Sequence, residues 1–232
     1  MSKTIAIIGS NGFVGKVMSQ KAHESGFSVL GVTRENYQLA RKKDEIDNVI
    51  NCAMPSGRFW AKNNSALDFQ ETVEKTFHIK TDFPGAKIVQ ISSISARLQS
   101  DTVYGRHKLS AEALLDPSAD LIIRLGPLYH SSMTKGALID IMKNEKVFLS
   151  GSTKYAFTPL GWACSNILDN LDCYGILEVG AKGYVTLQDL SVAIKSKSLF
   201  EGEIDDQIFL GGNDDRPSAS QVIDFARNKI GC

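Results

Sequence analysis

The stretch Ile5-Ala6-Ile7-Ile8-Gly9-Ser10-Asn11-Gly12-Phe13-Val14-Gly15 decides how the rest of this chain is read. A short apolar run meets a glycine-punctuated turn and then the start of an amphipathic segment, which is the order strand, tight turn, helix. At such a turn the helix N-terminus offers backbone N–H groups and a positive dipole end, so a dinucleotide pyrophosphate would sit there. Each glycine has its own reason. Gly9 ends the strand in a turn, Gly12 lets backbone approach phosphate with no Cβ in the way, and Gly15 lets the helix lie close on the sheet. The spacing is G-x-x-G-x-x-G, and taken alone it also fits an ordinary strand–helix turn. The other residues must separate the two.

The totals narrow the classes. The chain has 232 residues, 43% hydrophobic and 22% charged, enough for one large α/β domain with a well-buried core. Its 26 basic and 26 acidic residues cancel, so no global field favours nucleic acid or an anionic membrane. No apolar run approaches the roughly 20 residues that span a bilayer, and Met1-Ser2-Lys3-Thr4 passes straight into the first strand. Cys52, Cys164, Cys173 and Cys232 are scattered, without C-x-x-C pairing or histidines at ligand spacing, so they read as reduced thiols and no metal is expected. The expectation is a cytoplasmic protein with a small-molecule substrate and neither a nucleic-acid nor a membrane partner.

Outward from the glycine turn, strand-length and helix-length segments alternate. Phe13 to Ser25 has helical spacing and stops at Gly26; Phe27 to Val32 is a strand, continuing into Thr33-Arg34-Glu35. Asn36 to Glu45 is polar and helix-compatible, and Asp47 to Ala53 is a third strand. Ser65 to Lys80 reads as a helix with Leu67, Phe69, Val73, Phe77 and Ile79 as its apolar positions. Lys87 to Ile91 is a strand, Asp101 to Leu115 a helix, and Asp120 to Leu125 a strand. Beyond these, helices are expected over Lys135 to Glu145, Ala163 to Leu171, Leu187 to Lys195 (with Thr186 as N-cap) and Ser220 to Lys229. Short strands are expected at Val147-Phe148-Leu149 and Gln207 to Leu210, with a turn cluster at Gly211 to Asp215. Such alternation argues for parallel strands joined by right-handed helical crossovers. The fold class is therefore α/β, a Rossmann-type doubly wound parallel sheet. A single domain over 1–232 is expected, with a small C-terminal substrate lobe from non-contiguous pieces of roughly 130–232.

Two further groups carry chemistry. Tyr104-Gly105-Arg106-His107-Lys108 falls in a helix, where residues four apart share a face. A tyrosine of ordinary pKa near 10 is no base at neutral pH, but an ammonium nearby, with a cationic nicotinamide, favours the phenolate. The pair alone occurs by chance on many exposed helices. Gln90-Ile91-Ser92-Ser93-Ile94-Ser95 lies at the carboxyl end of a strand, where ligands of open α/β sheets bind. There a hydroxyl reaches a substrate oxygen, or else the serines merely turn the chain. His107 projects from another face of its helix and reads as surface or packing. Arg58, Phe59 and Trp60, after the third strand, suit a nucleotide or sugar but read better as surface packing. His130 and Lys135 read as solvated loop, and Asp205, Asp206, Asp214 and Asp215 as turn residues.

Taken in order, the glycine turn, Asn51-Cys52-Ala53, Ser92-Ser93 and the Tyr-x-x-x-Lys pair resemble the short-chain dehydrogenase/reductase superfamily. The chain looks most like its extended branch of nucleotide-sugar epimerases, dehydratases and reductases. Tyr104-Gly105-Arg106-His107-Lys108-Leu109-Ser110-Ala111-Glu112 follows that branch's Y-G-x-x-K-x-x-x-E pattern. Ile122-Ile123-Arg124-Leu125-Gly126-Pro127-Leu128-Tyr129, Phe157-Thr158-Pro159-Leu160 and Gly183-Tyr184-Val185-Thr186-Leu187 are similar to later landmarks. The resemblance implies catalytic roles for Ser93 (holding the substrate oxygen), Tyr104 (general acid/base) and Lys108 (nicotinamide ribose and tyrosine pKa). It implies that Gly9, Asn11, Gly12, Phe13 and Val14 meet the pyrophosphate, and that Asn51, Cys52 and Ala53 pass beneath the adenosine half.

Cofactor choice turns on the end of the second strand, where an acidic side chain would accept from the ribose hydroxyls of NAD. Thr33-Arg34 stands there, and Arg34 offers a fork suited to the 2′-phosphate of NADP, which is the expected cofactor over NAD. Glu35 is the competing acceptor if the strand runs one residue longer. The implied activity is hydride transfer between nicotinamide and a hydroxyl/carbonyl carbon, by an oxidoreductase or epimerase acting on a nucleotide sugar or related small molecule. No acidic pair follows Ser93, which disfavours a dehydratase. The interval from Ser93 to Tyr104 and the whole chain are shorter than usual in that branch. The substrate lobe is then small, or borrows a wall from a second subunit in a homodimer. The alternative from another class is a non-catalytic NADP-binding regulator or scaffold, which tends to lose the tyrosine or lysine that this chain keeps.

Overall fold

The computed structural model describes residues 3–43, 45–211 and 215–231. In chain order the first elements are β1 (Thr4–Ile8), α1 (Phe13–Glu24), β2 (Ser28–Val32), α2 (Tyr37–Ala40) and β3 (Asn48–Asn51). Then come α3 (Arg58–Asn63), α4 (Ser65–Phe69), a π-helical stretch (Gln70–Glu74), α5 (Lys75–Asp82), β4 (Lys87–Ser93), α6 (Ser95–Leu98), α7 (Val103–Glu112) and β5 (Leu121–Leu125). The remainder is β6 (Leu128–Tyr129), α8 (Ala137–Met142), β7 (Lys154–Tyr155), β8 (Thr158–Pro159), α9 (Leu160–Asp169), β9 (Gly175–Val179), β10 (Val185–Thr186), α10 (Leu187–Ala193) and α11 (Gln221–Ile230).

Six strands form one parallel sheet in the order β2-β1-β3-β4-β5-β9. Ile5, Ile7, Val49, Ile50, Ile88 and Ile123 are wholly buried, as strands covered on both faces require. The chain leaves β1 in one direction to make β2 and returns on the other side to make β3. With right-handed connections this reversal puts α1 on one face and α5 and α7 on the other. It also leaves a crevice outside the carboxyl ends of β1 and β3, where ligands of open α/β sheets bind. The fold is the expected Rossmann-type α/β sheet.

The chain divides into two compact units, residues 1–125 with 164–179, and residues 126–163 with 180–232. The first holds the parallel sheet. The second holds two short ladders, β10 against β7 and β6 with β8, over an apolar core that includes Leu138, Ile141, Phe157, Leu187, Leu190 and Val222. Among the described residues, no helix is long and apolar enough to cross a membrane.

Several elements differ from the sequence pattern. The polar stretch after β2 yields only the single turn α2, whose Leu39 stays exposed; with so few apolar residues it has no stripe to bury. Val147 and Gln207 make isolated bridges to Phe200 and Tyr155 and not strands. Part of the Gly211–Asp215 turn, residues 212–214, lies outside the described residues. The edge strand β9 has no counterpart in the pattern, because Gly175-Ile176-Leu177-Glu178-Val179 is short and only half-buried. The helix after α3 keeps only part of its expected face. Val73 and Ile79 are buried as expected, but Leu67, Phe69 and Phe77 are exposed, and Asp68, Thr72 and Thr76 are buried. The π-helical stretch shifts the register midway, so one straight helical stripe does not describe this segment.

Candidate active site

The glycine turn is tied to β2 by the Gly9 N–H, which donates to the Val32 carbonyl at 2.9 Å, and is closed by Gly12 N–H to the Gly9 carbonyl at 2.8 Å. Gly9 has φ +78°, which only glycine adopts without strain. A Cβ on Gly15 would fall 2.1 Å from the Gly9 carbonyl oxygen, so α1 starts directly on the turn. No side chain caps α1 and no acidic residue stands in its first turn, leaving the positive end of the helix dipole unneutralised. Asn11, Gly12 and Phe13 are exposed there, and Val14 is half-buried. This end of the helix fits a pyrophosphate.

Across the crevice, a Cβ on Gly9 would approach the Cα of Ala53 to 2.9 Å. The exit of β3 is held by its own side chains. Asn51 donates through Nδ2 to Gln90 Oε1 at 3.0 Å, and its Oδ1 accepts from the Ala53 N–H at 3.1 Å. Cys52 is half-buried as a residue, but its thiol is enclosed, and burial holds it well above its ordinary pKa. Two lysines pin the following loop: Lys75 Nζ donates to the Ala53 carbonyl and Lys108 Nζ to the Pro55 carbonyl, each at 3.0 Å.

At the end of β2 the strand stops at Val32, earlier than Thr33-Arg34. Asn36 folds the chain there, accepting from the Thr33 N–H at 2.7 Å and donating to the Gly31 carbonyl at 2.9 Å. Arg34 is largely exposed, and its guanidinium reaches Glu71 Oε1 at 3.3 Å. Burial pushes the Glu71 carboxyl up, but Lys75 and Arg34 together hold it below its ordinary value. Glu35 lies in the solvent-exposed turn, its carboxyl lowered by a hydrogen bond from the Thr33 side chain. Glu71 and Lys75 had no signal of their own in the sequence, because they meet Arg34 and Ala53 only through the fold.

The three residues expected to act together do converge. Ser93 ends β4 and accepts from the Ser95 N–H at 3.2 Å. Thr102 caps α7 by accepting from the Gly105 N–H at 3.0 Å, and the helix buries Tyr104, Gly105 and Lys108 on one side. Burial pushes the Tyr104 phenol up to about 12, while a hydrogen bond with Ser93 and the Arg58 charge pull it down and Asp68 pushes it up. The phenol thus sits above its ordinary value, where the Tyr–Lys spacing suggested a depressed one. The reason is that desolvation exceeds the help from its neighbours. Lys108 Nζ lies 5.1 Å from the centre of the Tyr104 ring. Burial above all, with the Lys75 charge, brings this ammonium down to about 7 against the opposing pull of Asp68 and Glu112.

Ser92, beside Ser93, serves the framework. It donates to Glu112 Oε1 at 2.5 Å, and Arg124 Nη2 holds Glu112 Oε2 at 2.6 Å. Arg97 grips Glu178 of β9 with two bonds of 2.7 and 3.0 Å. Of the remaining candidates, Arg58 donates to Gln99 Oε1 at 3.2 Å and Phe59 is exposed. His107 is not a simple surface group: its Nδ1 lies 2.6 Å from Asp68 Oδ2, with Phe69 edge-on to the ring. Asp205 and Asp206 accept from Tyr155 Oη and the Lys154 N–H at 2.8 Å each, so they anchor a ladder and are more than turn residues. Asp214 lies outside the described residues, among which no cluster suited to a metal occurs.

No family model matches the chain, and no curated protein matches it. Solved structures do. MoeE5 in complex with UDP-glucose and NAD superposes with a TM-score of 0.79 at 14% identity, covering 98% of this chain and 99% of that one. A dTDP-4-dehydrorhamnose reductase from Bacillus anthracis in complex with NADP gives 0.79 at 16% identity, with 99% of each chain covered. A UDP-galactose 4-epimerase gives 0.74 at 16% identity, over 97% of this chain and 98% of that one. At such identities the likeness is one of fold. Over essentially its whole length, this chain has the fold of the nucleotide-sugar reductases and epimerases of the extended short-chain dehydrogenase/reductase type.

Proposed function

We propose that this protein is an NADP-dependent oxidoreductase or epimerase acting on a hydroxyl/carbonyl pair of a nucleotide sugar or a related small molecule. The observation that carries the reading is the convergence of Ser93, Tyr104 and Lys108 at the carboxyl end of β4, beside the crevice. The uncapped start of α1 supports a pyrophosphate held by Gly9, Asn11, Gly12, Phe13 and Val14, with Asn51, Cys52 and Ala53 beneath the adenosine half. Arg34 is the residue for the 2′-phosphate; its exposed guanidinium makes a rim contact to Glu71 at 3.3 Å.

When bound, the nicotinamide supplies or accepts the hydride; proton movement and orientation fall to the chain. Ser93 holds the substrate oxygen by a hydrogen bond. Tyr104, protonated at neutral pH because burial raises it to about 12, gives its proton to that oxygen as a carbonyl is reduced. Lys108 spends one of its three N–H bonds on Pro55 and has donors left for the ribose hydroxyls. Its charge stabilises the phenolate that remains on Tyr104.

The test follows NADPH oxidation across a panel of keto-sugar nucleotides and simple ketones. Turnover is expected on at least one, and Tyr104→Phe should lower it by about 100-fold or more with NADPH affinity kept. An undiminished rate removes Tyr104 from the mechanism. NADPH binding with no turnover on any substrate would favour a nucleotide-binding protein without catalysis.

A further inference from the structure

The carboxylate of Asp68 is fully buried on α4 and belongs to none of the roles above. One oxygen is bound by His107 Nδ1 at 2.6 Å, a pairing of residues 39 apart in the chain. The other, Oδ1, has no hydrogen-bond partner among the described residues, nor does the buried hydroxyl of Thr72, one turn further along. A buried carboxylate with an orphan oxygen costs several kcal/mol unless a charge nearby compensates it. His107 immediately precedes Lys108 on α7, and Asp68 acts electrostatically on both Lys108 and Tyr104.

We infer that Asp68, oriented by His107, is a positioning residue that supplies the buried counter-charge for the Lys108 ammonium beside Tyr104. This rests on the reading of Lys108 given above. The charged groups that act on the ammonium are Asp68 on α4, Glu112 further along α7 and Lys75 on α5, with the Tyr104 phenol one turn back. Glu112 is already engaged by Arg124 and Ser92, and Lys75 is repulsive. Asp68 is thus the carboxylate with an oxygen to spare. Without it, burial and Lys75 would strip the proton from Lys108 at lower pH, and the phenolate would lose its stabilising charge.

The experiment is an NMR titration of the full-length protein with 13C-labelled lysine ε-carbons, in which Lys108→Met identifies the Lys108 signal. Asp68→Asn should lower the Lys108 midpoint by about one pH unit or more. His107→Gln, which keeps a donor to Asp68, should leave it close to wild type. If Asp68→Asn does not fold, judged by circular dichroism, Asp68→Ser removes the same charge and takes its place. An unchanged midpoint on charge removal overturns the inference. The alkaline limb of turnover should move to lower pH in parallel. Because the titration needs no substrate, a failure of the proposed activity is distinguishable from a failure of this role.

Discussion

Arg34 is the side chain on which the proposed preference for NADP hangs. It sits just beyond β2, its guanidinium exposed and paired, among the described residues, with Glu71. A charge-assisted bond from such a fork to phosphate contributes about 1.5–3 kcal/mol, which corresponds to roughly ten- to hundredfold in affinity. Arg34→Ala should therefore weaken NADP by about that factor and leave NAD within about twofold, as read by fluorescence titration with each nucleotide. Equal losses for both would remove Arg34 from 2′-phosphate recognition. Glu35, the rival acceptor, lies in the turn after the strand, since Asn36 folds the backbone back before an extended Glu35 is reached. The position of Arg34 was legible in the sequence. Its pairing with Glu71, 37 residues away, was not, because no local pattern encodes which helix lies opposite a strand end.

At the scale of elements, α7 carries Tyr104 and Lys108, and Gly105 sets where it lies. Glycine inside a helix ordinarily costs about 1 kcal/mol relative to alanine, so Gly105→Ala would stabilise an exposed helix. Here a Cβ would stand 1.9 Å from the Gln99 carbonyl oxygen and 2.7 Å from that of Ser95, both backbone atoms. Helices α6 and α7 would have to part. Gly105→Ala should cost about 2 kcal/mol or more and lower Tm by several degrees in a scanning-calorimetry trace, with turnover falling alongside. A neutral or stabilising result would show that the pair moves apart easily. The Y-G-x-x-K pattern marked Gly105, but the reason for it lies in a neighbouring helix. The same limit applies to the helical stretch from Ser65. Its apolar residues promised one buried face; Val73 and Ile79 keep to it, but Asp68, Thr72 and Thr76 are buried where Leu67, Phe69 and Phe77 are not.

For the whole molecule, burying Tyr104 and Lys108 makes stability depend on pH in a definite direction. Lys108 titrates at about 7 when folded, against an ordinary value of 10.5. Between these values the unfolded chain holds a proton that the folded chain has released, so this group makes stability rise with pH across that window. Tyr104, at about 12 against 10.0, holds its proton when the unfolded chain has lost it, and so lowers stability above pH 10. Lys108→Met should flatten the rise, with urea midpoints at about pH 6.5 and about pH 9 closer together than in wild type. An unaltered rise would mean that Lys108 is charged in the folded state throughout. By itself the sequence determined the α/β alternation, the glycine turn after β1 and the order of Ser93, Tyr104 and Lys108 along the chain. These are local patterns of period and turn chemistry, written in consecutive residues. Only the tertiary structure decided that β9 closes the sheet, that the phenol is raised, and that Asp68 meets His107, because desolvation and charge pairing arise between segments far apart in sequence.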